Sequence, residues 1–205
     1  MVLRKAVEKQ IKNNLPIYFF VLVFFVAGIA AGAFTVDALS SVQKEELISY
    51  FQSFFNILDE QPVQSAAVFK QSLLNNSQFV LIIWVLGITV IGIPLILLIV
   101  GIKGFILGFS VSFLVEGMGL RGLLFALAAV LPQNLLIVPG ILVAGVLGIS
   151  FSISMLRRRK AKSKKSFSSE LTLYSFNIFV SLLILFVGSL VEGYITPVFI
   201  KLFSS

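Results

Sequence analysis

Residues 122–156 read GLLFALAAVLPQNLLIVPGILVAGVLGISFSISML and carry no charged side chain. A membrane-spanning helix needs about 20 apolar residues. One continuous helix over this stretch would be about 52 Å long, which exceeds the hydrocarbon core of about 30 Å. The chain therefore has to break inside the stretch, and the break is predicted at Pro132, where the polar Gln133 and Asn134 follow.

The break predicts a half-helix over residues 120–131 and a spanning helix over 135–156. Non-helical backbone at membrane depth persists only where protein or a water-filled cavity surrounds it. Gln133 and Asn134 then have two interpretations: their amides satisfy the broken backbone, or they bind a ligand. The first is favoured.

Upstream, residues 71–102 and 104–115 are uncharged on either side of Lys103. This pattern predicts spans over 79–102 and 104–118, with a tight turn at Lys103. Gly92 and Pro94 are expected to kink the first of them, because proline lacks a backbone donor. Two glycines four residues apart allow close packing in the second, at Gly104 and Gly108.

Two further spans are predicted over residues 17–36 and 171–191. The first follows a basic head, but its apolar run is longer than that of a signal peptide, so a retained helix is favoured. Its Gly28 and Gly32 are interpreted as packing within one subunit rather than as a dimer seam. The fold class is all-α: one integral membrane domain over 1–205, with about five transmembrane helices, a half-helix and an outer amphipathic segment.

The outer segment, residues 37–77, holds most of the acidic side chains. A helix here would place four apolar side chains on one face, at Leu47, Phe51, Phe54 and Leu58. The face fits an amphipathic hairpin lying on the bilayer, and it fits equally a docking surface for an extracytoplasmic partner. The sequence leaves both open.

Composition limits the chemistry. Of the 205 residues 58% are hydrophobic, and neither Cys nor His occurs; mean hydropathy is +1.05. Thiol catalysis is excluded, and the commonest general base and metal ligand is missing. Glu116 and Glu192 are expected at the outer interface, and a catalytic pairing of the two is disfavoured. We therefore predict no enzyme activity, no metal and no cofactor.

The net charge of +7 is concentrated at two places, the first 16 residues and the run RRRKAKSKK at 157–165. A basic run between two apolar spans is typical of a cytoplasmic loop facing anionic lipid. Nucleic-acid binding is disfavoured. The rule that positive loops stay inside then predicts a cytoplasmic N-terminus, with segment 37–77 and the C-terminus outside the cell membrane.

Several ordered motifs carry a family resemblance. They are LLNNSQFVLIIWVLGITVIGIPLILLIVGIKGFILGFSVSFLVEGMG (73–119), LPQNLLIVPG (131–140), QKEELISYFQSFF (43–55) and VEGYITPVF (191–199). Together they resemble the stage II sporulation protein M family, in its endospore-former branch. Distant members carry L-P-H-G-x-x-E where this chain has Gln133, Asn134 and Ile137, so any role of that His and Glu does not transfer.

The resemblance implies a multispan scaffold at the sporulation septum of the mother cell. Such proteins belong to a peptidoglycan-remodelling complex with stage II sporulation proteins D and P, the wall hydrolases, and support septal thinning and forespore engulfment. A permease-like channel or transporter subunit is the alternative, because transporters place binding sites at discontinuous helices. The formation of a homo-oligomer stays open.

The orientation can be tested with single cysteines, because the native chain has none. Ser53→Cys is expected to react with a membrane-impermeant maleimide in intact cells, because residue 53 belongs to the predicted outer segment. Ser163→Cys in the basic loop is expected to react only after permeabilisation. Labelling of Ser163→Cys from outside the cell would reverse the orientation.

Overall fold

A computed structural model of the chain describes residues 14–49, 64–160 and 167–199, and helix is the only regular structure among them. The helices are α1 (Leu15–Asp37), α2 (described over 41–49), α3 (Ser65–Gly87), α4 (Gly92–Met118), α5 (Leu120–Ala129), α6 (Leu131–Lys160) and α7 (Phe167–Leu190). A π-helical turn, Val191–Ile195, extends α7, and helix continues to residue 199.

Within the described ranges, four helical segments are long and apolar enough to cross a membrane: Leu15–Asp37, Gly92–Met118, Leu131–Arg158 and Phe167–Phe199. The chain is therefore an all-α polytopic membrane protein, as predicted. Helix α3 is as long as α1 but is not one of the four, because its first half carries many polar side chains.

The predicted turn at Lys103 is wrong. Residues 92–118 form one continuous helix with Lys103 inside it, and the chain instead turns at residues 88–91. One lysine does not interrupt helical hydrogen bonding, whereas the turn needs a small residue at Gly92, where a Cβ would collide with the carbonyl oxygen of Leu86. The predicted span over 79–102 thus covers the end of α3, the turn and the first part of α4, and the predicted span over 104–118 is the rest of α4.

Pro94 also differs from its predicted role as a kink. It is the third residue of α4, where the backbone N–H that proline lacks would have no partner in the helix. Proline is therefore compatible with the first turn, and the change of direction precedes it.

The long uncharged stretch breaks at Val130, between α5 and α6. Pro132 is the second residue of α6, so Gln133 and Asn134 lie inside its first turn rather than in a loop before residue 135. The half-helix α5 starts after Gly119, whose φ of 59° is the only positive φ in the described part of the chain. That conformation favours glycine and separates α4 from α5.

Helices α1 and α4 run in the same direction and approach closely through glycines. A Cβ on Gly28 would collide with the carbonyl oxygen of Gly101, and one on Gly108 with that of Ile29. Both predicted glycine pairs, in α1 and in α4, thus pack against each other within one subunit.

Helix α6 is the centre of the bundle. It contacts α1, α3, α4, α5 and α7, and its buried side chains form the core with apolar residues of these neighbours. The Ser152 hydroxyl oxygen lies 2.9 Å from the carbonyl oxygens of both Gly87 and Thr89. It thereby satisfies backbone groups at the turn over 88–91.

The bundle has two ends, which we name by their residues. The basic end contains Asn14, the 88–91 turn, the end of α6 from Ser150 and the start of α7, as the Ser150–Asn14 and Ser152–Thr89 hydrogen bonds show. The far end contains the end of α1, the start of α3, α5 and the π-helical turn.

The close contact between α1 and α4 predicts different effects on stability for two substitutions in α4. A Cβ on Gly104 would collide with the carbonyl oxygen of Phe25, whereas one on Gly101 meets only the carbonyl oxygen of Phe24 at 3.5 Å, an ordinary contact. Gly104→Ala is therefore expected to destabilise the protein by about 1–3 kcal/mol, whereas Gly101→Ala, its matched control, is neutral or stabilising.

The melting temperatures of both variants are measured by thermal unfolding of the purified protein in detergent, monitored through the helical circular dichroism signal. Equal melting temperatures for the two would show that the backbones of α1 and α4 are not in contact at Gly104.

Candidate functional site: a polar cavity between the helices

A cavity of about 230 Å³ lies between α3, α4, the start of α6 and the π-helical turn. Its wall carries one basic and one acidic side chain, Lys103 and Glu192. Amides and hydroxyls supply the rest of the polar lining, from Ser72, Asn75, Asn76, Ser110, Gln133 and Asn134. The cavity thus gathers charged, amide and hydroxyl side chains from several helices of a largely apolar bundle.

A chain of hydrogen bonds connects the two charged groups. The Lys103 ammonium donates to Asn76 Oδ1 at 2.8 Å. Asn76 Nδ2 donates to the Ser72 carbonyl oxygen at 3.0 Å and lies 3.2 Å from Ser72 Oγ. Ser72 Oγ in turn donates to Glu192 Oε2 at 2.6 Å. The chain joins α4, α3 and the π-helical turn.

Helix α3 supplies the middle of this chain because its buried face changes character along its length. Ser72, Asn76, Val80 and Ile83 recur at helical spacing on that face. The first half of the face is polar and the second half is apolar. Asn76 is 3% exposed, so its amide depends on these protein partners for hydrogen bonds.

Lys103 lies deep in the bundle. At 1.5 Å per residue it is about 17 Å from the start of α4, which is about 40 Å long. A lysine at the centre of a spanning helix costs about 2.5–3.5 kcal/mol on insertion scales. Asn76 partly offsets that cost, as does the Phe79 ring, whose centroid is 5.2 Å from the ammonium nitrogen.

Glu192 reaches the cavity through the π-helical turn. The turn inserts an extra residue into α7, and Gly193 within it packs against α3, where a Cβ would lie 2.8 Å from Phe69 Cα. This close approach places Glu192 beside Ser72. Insertions of this π-helical kind are frequent at functional sites.

Gln133 and Asn134 line the cavity and also support the break before α6. Asn134 Nδ2 donates to the Val130 carbonyl oxygen at 2.8 Å. Thr196 Oγ1 donates to Gln133 Oε1 at 3.0 Å and lies 3.4 Å from the Ala129 carbonyl oxygen. The structure is therefore compatible with both interpretations from the sequence. Asn134 satisfies a backbone carbonyl at the break, and Gln133 lines a cavity in which a ligand could bind.

The other residues singled out from the sequence lie elsewhere. Gly92 and Pro94 are at the basic end, Gly104 and Gly108 are at the contact with α1, and Pro132 is in the first turn of α6. Of the proposed docking face, Leu47 is half-buried in α2, whereas Phe51, Phe54 and Leu58 lie outside the described residues.

Glu116 and Glu192 are both predicted at the outer interface, and for Glu192 this is wrong because it lines the cavity inside the bundle. Glu116 pairs with Lys44 at 2.7 Å, which ties α2 to the end of α4, whereas Glu192 hydrogen-bonds Ser72 in the cavity. Among the residues that the structure describes, no group of three or more acidic side chains could hold a metal ion.

Sequence reasoning missed Lys103, Asn76, Ser72 and Glu192 as one site. The available signal was a serine and an asparagine four residues apart in the polar start of α3, together with a single lysine in an uncharged stretch. Placing the turn at Lys103 hid that signal, because a lysine at a turn reaches water.

Fold and cavity together define a polytopic helical membrane protein with ionisable groups inside its bundle. Within that class, the family model described as stage II sporulation protein M matches residues 21–197, and the chain belongs to that family. The resemblance seen in the sequence is confirmed, and the chain is a sporulation-related membrane protein. No curated protein and no solved structure matches it.

The hydrogen-bond chain predicts a difference between two adjacent asparagines of α3. Asn76→Leu removes the acceptor of the Lys103 ammonium and is expected to lower stability by about 1.5–3 kcal/mol, the usual range for a hydrogen bond to a charged group. Asn75→Leu changes a side chain that also lines the cavity but is exposed and bonds only Gln71 among described residues, so the expected change in stability is within about 0.5 kcal/mol.

Thermal unfolding in detergent compares the two variants. If Asn76→Leu melts at the wild-type temperature, then Lys103 does not depend on Asn76 for its solvation.

Proposed function

We propose that the protein is a non-catalytic scaffold in the cell membrane at the sporulation septum. It would localise wall hydrolases, stage II sporulation proteins D and P, for septal thinning and forespore engulfment. The observation that carries the proposal is membership of the stage II sporulation protein M family over residues 21–197.

The helices of the bundle are tightly packed, which suits a scaffold. Glycines bring the backbones of α1 and α4 into contact along several turns, and α6 packs against all the other long helices. Interiors packed in this way have low compressibility and deform little under load. A partner bound at one end would therefore be held at a defined place relative to the membrane.

The outer segment supports the proposal at the far end. The Lys44–Glu116 ion pair is partly exposed, with 25% and 44% of the two side chains accessible. Such pairs contribute about 0–1 kcal/mol to stability, so its main effect is to orient α2 on α4. The apolar face that begins at Leu47 would then be presented next to the membrane.

Orientation completes the proposal. The basic run of residues 157–165 begins at the end of α6, at the basic end of the bundle, and we assign that end to the cytoplasm. The far end, with α2 and the start of α3, would face the peptidoglycan. This is the side on which wall hydrolases act.

A permease-like subunit is the second candidate, and the polar cavity is the observation that favours it. Ionisable side chains inside membrane bundles commonly mark ion or substrate pathways. The break between α5 and α6 contributes Gln133 to that cavity. A transporter would depend on this interior, whereas a scaffold would depend on the outer face.

A paired experiment separates scaffold from permease. Phe51→Ala combined with Phe54→Ala removes two aromatic anchors of the outer face, and interface energy is concentrated in a few such residues. We expect normal protein levels with a large loss of hydrolase co-purification and of septal localisation. The matched control is Phe19→Ala with Phe20→Ala, two exposed aromatic residues of α1 near the basic end, and it is expected to leave capture unchanged.

Unchanged capture and localisation in the outer-face variant would show that this face only anchors the segment. If Gln133→Leu alone then abolished function at normal protein levels, the permease would replace the scaffold as the better proposal.

A further inference from the structure

We infer that the cavity between α3, α4, α6 and the π-helical turn binds a small zwitterion, a molecule with an ammonium group and an oxyanion. This inference goes beyond the scaffold role and does not rest on it. It follows from the unused hydrogen-bonding capacity of the lining, from the separation of its two charges, and from its volume.

Lys103 provides the first argument. An ammonium group has three N–H donors, and among the described residues that of Lys103 donates one hydrogen bond, to Asn76. Ammonium donors inside a helix bundle need acceptors, because hydrocarbon supplies none. The cavity is the open space next to this group, so an oxyanion there would take up the remaining donors.

Gln133 adds a second donor on the same cavity. The residue is 6% exposed, and its Oε1 accepts the hydroxyl of Thr196. With its oxygen bound in this way, the Gln133 amide presents its NH₂ group as a donor. A buried amide and a half-buried ammonium, from different helices, therefore both line the space into which an oxyanion would fit.

Glu192 determines that the ligand is not a simple anion. Its carboxylate lines the same cavity and accepts one hydrogen bond, at Oε2 from Ser72, which leaves acceptor capacity on the group. No direct ion pair joins Lys103 to Glu192 within the part of the chain that the structure describes; Asn76 and Ser72 lie between them. A simple anion would be repelled by Glu192, and a simple cation by Lys103.

A zwitterion satisfies both ends of the cavity. Its oxyanion would accept from Lys103 and Gln133, and its ammonium would donate to Glu192. Opposite charges attract strongly in a low-dielectric interior, and the paired arrangement leaves the net charge of the site at zero. The inserted residue of the π-helical turn, which brings Glu192 to the cavity, then acquires a role in recognition.

The volume limits the size of the ligand. A space of about 230 Å³ is smaller than typical drug-binding pockets of about 300–1,000 Å³. It equals the liquid volume of about eight water molecules at ~30 Å³ each. Short amino acids fit these limits, and so does the head group of phosphatidylethanolamine, which carries the same two charges.

The test uses the full chain in detergent with a panel of probes: glycine, β-alanine, γ-aminobutyrate, propionate and propylamine. Binding is measured by calorimetric titration and by the shift in melting temperature, which rises when a ligand binds only the folded state. We expect at least one amino acid of the panel to bind. Propionate and propylamine are expected to bind at least about tenfold more weakly, because each leaves one charged group of the cavity without a partner of opposite charge.

Two variants assign the binding to this cavity. Lys103→Met and Glu192→Gln are each expected to weaken binding of the preferred amino acid at least about tenfold. The matched controls are Lys44→Met and Glu116→Gln, which change the ion pair outside the cavity and are expected to leave the affinity unchanged. If a cavity variant fails to fold, the probe selectivity of the wild-type chain still decides the outcome.

Nanodiscs distinguish the two sources of the ligand. If phosphatidylethanolamine nanodiscs abolish amino-acid binding that persists in phosphatidylglycerol nanodiscs, the natural ligand is a lipid head group; binding in both indicates a free zwitterion. The inference is overturned if no amino acid of the panel binds. It is equally overturned if propionate or propylamine binds as tightly, or if the cavity variants bind like the wild type.

Discussion

A charged ammonium inside a membrane-spanning helix has to be solvated by the protein, and the far half of the bundle is arranged around this requirement. Lys103 of α4 faces the polar half of α3, where Asn76 accepts its hydrogen bond. Asn76 is held by Ser72, and Ser72 donates to Glu192. Each of these groups would be costly to bury alone, so α3, α4 and the end of α7 stabilise one another through a shared polar site.

The other half of the bundle follows ordinary membrane packing. Toward the basic end the buried face of α3 becomes apolar, with Val80 and Ile83, and packs on α6 near Gly148. Helices in lipid associate through close van der Waals contact at small residues. The glycines of α1 and α4 meet this need within the subunit, which explains why two separate glycine patterns occur in helices far apart in the chain.

A scaffold and a polar cavity are compatible within one small bundle. The outer segment and the cavity both involve α4: Glu116, near its end, pairs with Lys44 of α2, and Lys103, near its middle, lines the cavity. The ion pair to α2 and the cavity thus use different parts of one helix.

The sequence by itself determined the class of fold, because composition and uncharged runs leave membrane-spanning helices as the only way to satisfy the backbone. It also placed a break near Pro132, since one helix over 122–156 would be too long for a bilayer. Motif order led to the family, which the match over residues 21–197 confirmed.

Only the tertiary structure decided where the chain turns before α4 and which polar groups meet. A lysine in an apolar run can lie at a turn, where it reaches water, or inside a helix, where another residue must accept its hydrogen bond. Which of the two occurs depends on whether a neighbouring helix offers an acceptor. Asn76 offers one because α3 lies beside α4, a contact between residues far apart in sequence. Glu192 joins Lys103 and Asn76 at this site through the inserted residue of the π-helical turn. The sequence pattern around Gly193 does not predict this backbone feature.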